Sequence, residues 1–268
     1  ILMGAFMQIN PVWLFGPYNP AQVTAGSQPD WYMGFVEGAI RIIPNWEWHL
    51  GGTTWSWNIF LPGVGLMGLL FTGLALYPFI EAWITGDTSE HHLLDRPRNA
   101  PVRTGIGVAG MAAYGMFWLA GGNDILATTF HVSLNAVTYF MRVAVFVVPV
   151  LAFIVTKRIC LSLQRADRDR VLHGSESGVI VRNAEGGFSE AHVPISRGEA
   201  YDLTRHPQPA ALVPNGKKVG RLRRRLSAWY AAGQLPKPTA AEIADAAHHG
   251  AITADAHDAS AAAVEAGV

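Results

Sequence analysis

The run Asn58-Ile59-Phe60-Leu61-Pro62-Gly63-Val64-Gly65-Leu66-Met67-Gly68-Leu69-Leu70-Phe71-Thr72-Gly73-Leu74-Ala75-Leu76-Tyr77-Pro78-Phe79-Ile80-Glu81-Ala82-Trp83 decides the architecture. It is almost unbroken apolar sequence, with one charge near its end. A helix needs roughly 20 predominantly apolar residues to cross a bilayer, because the hydrocarbon core is about 30 Å thick and a helix rises about 1.5 Å per residue. Two more segments have this character, Gly105 to Ala120 and Val132 to Thr156. The middle one is short; it can lengthen through Val102 and Thr104 or cross with little tilt. Gly65, Gly68, Thr72 and Ala75 form a small-residue stripe down the first span that admits a close helix neighbour, and Pro62 and Pro78 lie near its ends, where kinks are tolerated.

Half of the residues are apolar, only 15% are charged and the mean hydropathy is +0.20, although the last third is polar. The zero formal net charge averages two unlike halves and indicates no partner by itself. Between Ile1 and Asp95 the only Arg or Lys is Arg41, whereas Arg165 to Arg225 is dense in both. Basic residues mark cytoplasmic ends: Arg96, Arg98 and Arg103 lie between the first two spans, and Lys157 and Arg158 follow the third. Three crossings then put Ile9 to Trp57 and the short link Gly121 to His131 outside. Cys160, the single cysteine, has no internal disulfide partner and is expected to stay reduced at its cytoplasmic position. The opening Ile1-Leu2-Met3-Gly4-Ala5-Phe6-Met7 reads as the end of an apolar helix, as in a C-terminal fragment.

The expected fold is an all-α integral membrane protein with three transmembrane helices, an interfacial helix, and a mostly irregular cytoplasmic C-terminal tail containing a small hairpin. Residues 1–57 form the truncated helix and outer loop, 58–158 the three-helix membrane domain, and 159–268 the cytoplasmic extension, disordered from about 236. Asp30 to Ile43 reads as a short amphipathic helix in the interface, ended by Pro44 and followed by Trp46 and Trp48 at headgroup depth. In the tail, Gly178 to Arg182 and Phe188 to Ile195 read as the hairpin. Lys217 to Tyr230 reads as a basic amphipathic helix suited to anionic membrane lipid, with a solvated arm or a partner-binding helix as open alternatives. Nucleic acid is not expected as a partner, since the basic run stands alone beside a membrane domain.

Two motifs mislead. Gly105-Ile106-Gly107-Val108-Ala109-Gly110 matches the dinucleotide fingerprint, but that pattern has meaning only between a strand and a helix, and here a Pro- and Arg-containing loop leads into an apolar span. His91-His92 and His248-His249 lack Cys or carboxylates at ligand spacing, so no metal site is assigned.

The chemically suggestive stretch is Pro29-Asp30-Trp31-Tyr32. It sets an acid and two aromatic side chains at a membrane edge, where a carboxylate can take a proton and flat rings can meet a flat apolar ring. A helix start is the plainer alternative, since Ser27 can cap, Pro29 fits a first turn and Asp30 suits the positive end of the dipole. Met33, Val36 and Glu37 share a face of the following helix and can line the same pocket; for Glu37, pairing with Arg41 at i+4 is equally compatible. Arg142 is the only charge well inside a span, about 15 Å along its helix from His131.

Gln8-Ile9-Asn10-Pro11-Val12-Trp13, Gly16-Pro17-Tyr18, and Gly26-Ser27-Gln28 leading into Pro29-Asp30-Trp31-Tyr32 resemble the quinol-oxidation loop of cytochrome b in the cytochrome bc complex. His91-His92-Leu93-Leu94-Asp95-Arg96-Pro97-Arg98 and Leu163-Gln164-Arg165-Ala166-Asp167-Arg168 point to its actinobacterial branch. The resemblance runs to about Pro194; beyond it only a long polar tail is family-like. It implies oxidation of menaquinol on the outer side of a bacterial plasma membrane, one electron passing to a Rieske iron–sulfur subunit and the other to a b haem, with both protons leaving outward. Asp30 is the implied proton acceptor and Tyr32 a hydroxyl donor, with Pro29 and Trp31 shaping the pocket wall. The family's commoner residue at Asp30 is Glu, one methylene longer. The b haems belong to the complete subunit, and no haem ligand is assigned here. Implied partners are the Rieske subunit, a cytochrome c subunit, a cytochrome c oxidase and a second copy of the complex in a dimer; the fragment alone is not expected to be active. For Arg142 a structural role, or one on a haem-propionate side, is expected ahead of a catalytic one.

The rival class is a non-catalytic membrane scaffold or a transporter fragment, in which Pro29 to Tyr32 only anchors an interfacial helix. A transporter should carry intramembrane polar residues along several spans and paired broken helices, whereas Arg142 is nearly alone.

Overall fold

The computed structural model describes residues 13, 16–17, 19, 21, 32–87, 90, 94–182, 186–204, 212, 219–232 and 234–246. Pro29, Asp30, Trp31, His91, His92, His248 and His249 lie outside the described residues, as does the tail from 247. The protein is mostly helical and divides into two compact units, residues 1–83 with 105–155, and residues 84–104 with 156–268.

The first unit begins with α1, Gly34–Ile42. Phe35, Val36, Ala39 and Ile42 recur at helical spacing and are buried, while Ile40 on the other side is exposed. The helix stops where Ile43 turns extended ahead of Pro44, whose ring disfavours helical backbone in the residue before it. A β-hairpin follows, β1 (Glu47–Leu50) against β2 (Thr53–Ser56), which departs from the all-α expectation. Its cause is the turn Gly51-Gly52, with φ of +57° and +78°: two successive left-handed residues make the tight turn that matches strand twist, and only glycine adopts them without cost. Trp48 faces Trp55 across the pair, and the Trp57 amide donates to the Trp46 carbonyl at 2.9 Å, closing the base.

The first apolar run is α2, Trp57–Thr85, continuous through a π-helical stretch at Leu61–Leu66. Pro62, which has no amide hydrogen to donate, sits at the start of that stretch and is buried. The second is α3, Pro101–Gly121, longer than the span read from the sequence because helical backbone already begins at the Pro-Val-Arg-Thr lead. The expected short link is a helix, α4 (Asn123–Thr129), bent 65° from α3. It ends in a Schellman arrangement: the Val132 amide donates to the Ala127 carbonyl at 3.0 Å, with His131 left-handed at φ +55°. The third is α5, Leu134–His173. Among the described residues two helices, α2 and α5, are long and apolar enough to cross a membrane, three if the α3–α4 pair counts as one span.

Within this unit α1 packs against the π-helical turn and lies directly on α3. A Cβ on Gly38 would collide with the Phe117 carbonyl and come 2.7 Å from the Gly121 nitrogen, while one on Gly121 would come 2.6 Å from the Gly34 carbonyl. The two backbones touch, which only glycine permits. The core beside this contact joins Ile42, Ala120, Met141 and Val145, with Met116, Phe117, Leu126 and Val137 packed around it. Gly105, first glycine of the apparent dinucleotide fingerprint, lies inside α3, where an added Cβ would meet Phe153 at 2.8 Å; it is a packing position.

In the second unit, α5 runs on past the apolar stretch and carries the polar framework. Arg98 pairs with Asp167 at 2.9 Å, the Gln164 amide donates to the Arg98 carbonyl, and the Gln164 oxygen accepts from the Leu235 amide at 3.0 Å. The tail is more ordered in its described residues than the irregular one expected. The hairpin is present as β3 (Ser175–Arg182) against β4 (Phe188–Val193), followed by α6 (Arg197–Thr204) and α7 (Arg221–Ala231). Residues 240–246, in the stretch expected to be disordered, are helical. They start from a capping box: Glu242 accepts from the Thr239 amide at 2.8 Å, and the Glu242 amide donates back to the Thr239 hydroxyl at 3.2 Å.

Candidate functional site

The candidate site is the N-terminal end of α1. Tyr32 and Met33 form the turn that leads into the helix, Met33 at its N-cap. The entry is fixed on α3: the Tyr114 hydroxyl donates to the Tyr32 carbonyl at 3.4 Å, and the Phe35 and Tyr114 rings stack at 4.8 Å. Gly34 faces the Trp118 indole. With its backbone held, Tyr32 is 53% exposed. An exposed phenol on a pinned backbone can offer a hydroxyl and a ring face to an apolar ring compound without a large loss of entropy.

The other predicted residues separate. Met33 is half-buried, Val36 is buried, and Glu37 is half-buried and forms the i+4 ion pair with Arg41. Arg41 goes further, donating to Asn123 at 2.9 Å and to Asp124 at 2.7 Å. Asn123 is itself buried and donates to the Thr138 hydroxyl at 3.2 Å, so one polar cluster fastens α1, α4 and α5 together. Burial works to lower the Arg41 pKa, but hydrogen bonds to Asp124 and Glu37 and their charges outweigh it, holding the group above its ordinary value. Glu37 therefore meets the site as half of a fixed ion pair. Sequence reasoning reached its pairing with Arg41 but missed Asn123 and Asp124, more than 80 positions away; their only local cue was a Gly121-Gly122 break before a helix start.

Arg142 has a structural partner. Its Nε donates to the Ile42 carbonyl at 2.6 Å, and its guanidinium lies 5.2 Å from the Tyr139 ring centroid. Ile42 is the last residue of α1, so a cation meets the negative end of that helix and takes up a carbonyl with no partner in its own helix.

The described residues do not fit a haem. Axial ligation of this kind needs histidines facing each other from apolar helices. The described histidines are instead His49 in β1, His131 at the α4–α5 corner, His173 at the end of α5 and His192 in β4. Among the described residues no three His, Cys, Asp or Glu side chains gather as a metal site.

No family model matches the chain. Among curated proteins it is 51% identical over 254 residues to the cytochrome b subunit of the cytochrome bc1 complex of Streptomyces coelicolor, covering 90% of this chain and 46% of that protein. The subunit of the same name from Corynebacterium diphtheriae is 47% identical over 211 residues, 78% of this chain and 38% of the relative. That from Mycobacterium tuberculosis is 42% identical over 227 residues, 82% of this chain and 40% of the relative. The chain thus spans less than half the length of the curated relatives it matches, and the matched portion is C-terminal. It belongs to the family of the actinobacterial cytochrome bc1 complex cytochrome b subunit, as a counterpart of that C-terminal part.

Proposed function

We propose that the chain is the C-terminal portion of a respiratory cytochrome b and forms part of the outer-side site that oxidises menaquinol. The observation that carries this reading is the 51% identity sustained over 254 residues with a subunit of that name. The pinned entry to α1, with the exposed Tyr32 beside it, supports this reading.

Quinol oxidation requires two protons and two electrons to leave one bound ring. Asp30 accepts a quinol hydroxyl proton, which makes the remaining oxygen electron-rich and lowers the barrier to oxidation. Tyr32 hydrogen-bonds the ring substituents or the docked electron acceptor. Pro29, Trp31 and Met33 supply apolar wall, Val36 is packed behind it in the core, and Glu37, held by Arg41, fixes the polar rim. The b haem of the complete subunit supplies an electron acceptor when bound; among the described residues no pair of histidines on facing apolar helices would hold it.

Three spans carry the chain across a bacterial plasma membrane, with the outer loop and α1 on one side and the tail in the cytoplasm. The working enzyme is a quinol–cytochrome c reductase containing a Rieske iron–sulfur subunit and a cytochrome c subunit, dimeric, and joined to a cytochrome c oxidase. Protons leave on the outer side.

The test is a pair of substitutions in the complete subunit, purified with its partners. Asp30→Asn removes the base and should lower the maximal rate of menaquinol oxidation by roughly ten- to a thousandfold at normal haem content. Asp30→Glu keeps the acid and should retain much more activity. Asn caps a helix as well as Asp does, so an Asn variant of full activity would reduce Asp30 to a helix start and remove its catalytic role.

A further inference from the structure

The helix α7 has two unlike sides. Ser227 and Tyr230 are buried, and the Ser227 hydroxyl accepts from the Leu212 amide at 2.9 Å, which fixes that side inward. On the opposite side Leu222, Arg225 and Trp229 stand at i, i+3 and i+7, a single stripe, with Arg221 beside it and Arg224 further round the helix; all five are exposed, Leu222 at 66% and Trp229 at 45%. An apolar pair edged by two guanidinium groups, with a third further round, is costly to leave in water and matches a surface that is apolar beneath and negative above.

A second observation says which surface. Gly86, one residue past the end of α2, has φ +70°, and a Cβ there would come 2.6 Å from the Leu212 side chain and 3.7 Å from the Arg223 guanidinium. Leu212 is the residue that Ser227 holds, so α7 lies against the terminus of the apolar helix α2. A helix at the end of a membrane span sits at headgroup depth, where Trp concentrates and Arg meets phosphate.

We propose that α7 is a docking surface for anionic phospholipid headgroups at the membrane end of α2, with Leu222 and Trp229 dipping among the acyl chains and Arg221, Arg224 and Arg225 gripping phosphates. The inference rests on reading α2 as a membrane span, and its readout is independent of quinol chemistry. The purified complex is placed in nanodiscs of phosphatidylcholine alone or with one-third phosphatidylglycerol, and amide hydrogen exchange is followed over residues 219–232. Exchange should be at least about fivefold slower with the anionic lipid, and 0.5 M salt or the variant R221Q/R224Q/R225Q should abolish the difference. Exchange over residues 240–246 serves as the internal reference for a folded tail. Both leaflets of a nanodisc share one composition, so the result does not depend on the direction of insertion. Equal exchange in the two lipids, or a difference that survives the triple variant with the reference unchanged, would overturn the proposal.

Discussion

Arg142 shows how one residue can be costly in isolation and stabilising in place. An unpaired guanidinium part-way along an apolar helix is expensive, yet the Ile42 carbonyl that it meets would otherwise be an orphan at the end of α1. Arg142→Leu should therefore remove a charge-assisted bond of about 1.5–3 kcal/mol and leave that carbonyl unsatisfied. The expected result is a lower thermal unfolding temperature of the purified complex with an unchanged haem spectrum. Arg142→Lys should recover part of the loss, since an ammonium can donate to the same carbonyl. A shifted haem spectrum at undiminished thermal stability would assign the side chain to a haem instead. The sequence marked Arg142 as exceptional because charge inside an apolar run is visible in one dimension; its partner, 100 positions away, was not.

At the scale of elements, legibility followed the range of the forces involved. The apolar runs were readable because burial in lipid imposes composition on every residue of a span. The hairpin at Glu47–Ser56 was missed although Gly51-Gly52 is a strong local turn signal, because the four tryptophans in and beside it, Trp46, Trp48, Trp55 and Trp57, also suit a membrane edge. The contact of α1 with α3 was hidden, since Gly34, Gly38 and Gly121 acquire meaning only when two backbones touch. The helix at residues 240–246 had a readable capping box, Thr239 with Glu242, overlooked within an Ala-rich stretch. Its electrostatics give a pH prediction. Hydrogen bonds from the Thr239 amide and hydroxyl, then from Arg168, hold the Glu242 carboxyl below the ordinary carboxylate range. A depressed folded-state value means that the stabilisation is complete at neutral pH and lost as pH falls through the folded pKa. Hydrogen exchange over 239–246, corrected for the intrinsic effect of pH, should report opening only as pH falls below the ordinary carboxylate range. Glu242→Gln should flatten that acid dependence, whereas a Gln variant that opens with acid as the native chain does would place the sensitive group elsewhere.

At the scale of the whole molecule, everything functional depends on which side of the membrane α1 occupies. Arg and Lys are absent up to Asp95 except for Arg41, and Arg41 is held by Glu37, Asn123 and Asp124. The excess of Arg and Lys that would retain a loop in the cytoplasm therefore lies with Arg96, Arg98, Arg103 and the tail, not with the α1 segment. The helix α2 has 29 residues, about 43 Å at the usual rise and more than the roughly 30 Å of hydrocarbon, so it is long enough to cross, and a crossing puts its two ends on opposite sides. Thr53 at the hairpin turn and Leu94 in the loop after α2 are exposed reporters of those sides, Leu94 fully so. Cys160 is buried, with its thiol pKa pushed up by desolvation, and would resist a maleimide on either side; it is best removed as Cys160→Ser. In that background Thr53→Cys should react with a membrane-impermeant maleimide on intact cells, and Leu94→Cys only after permeabilisation. The reverse pattern would place Asp30 and Tyr32 on the cytoplasmic face and end the case for outward proton release. Labelling of both on intact cells would mean that α2 does not cross the membrane.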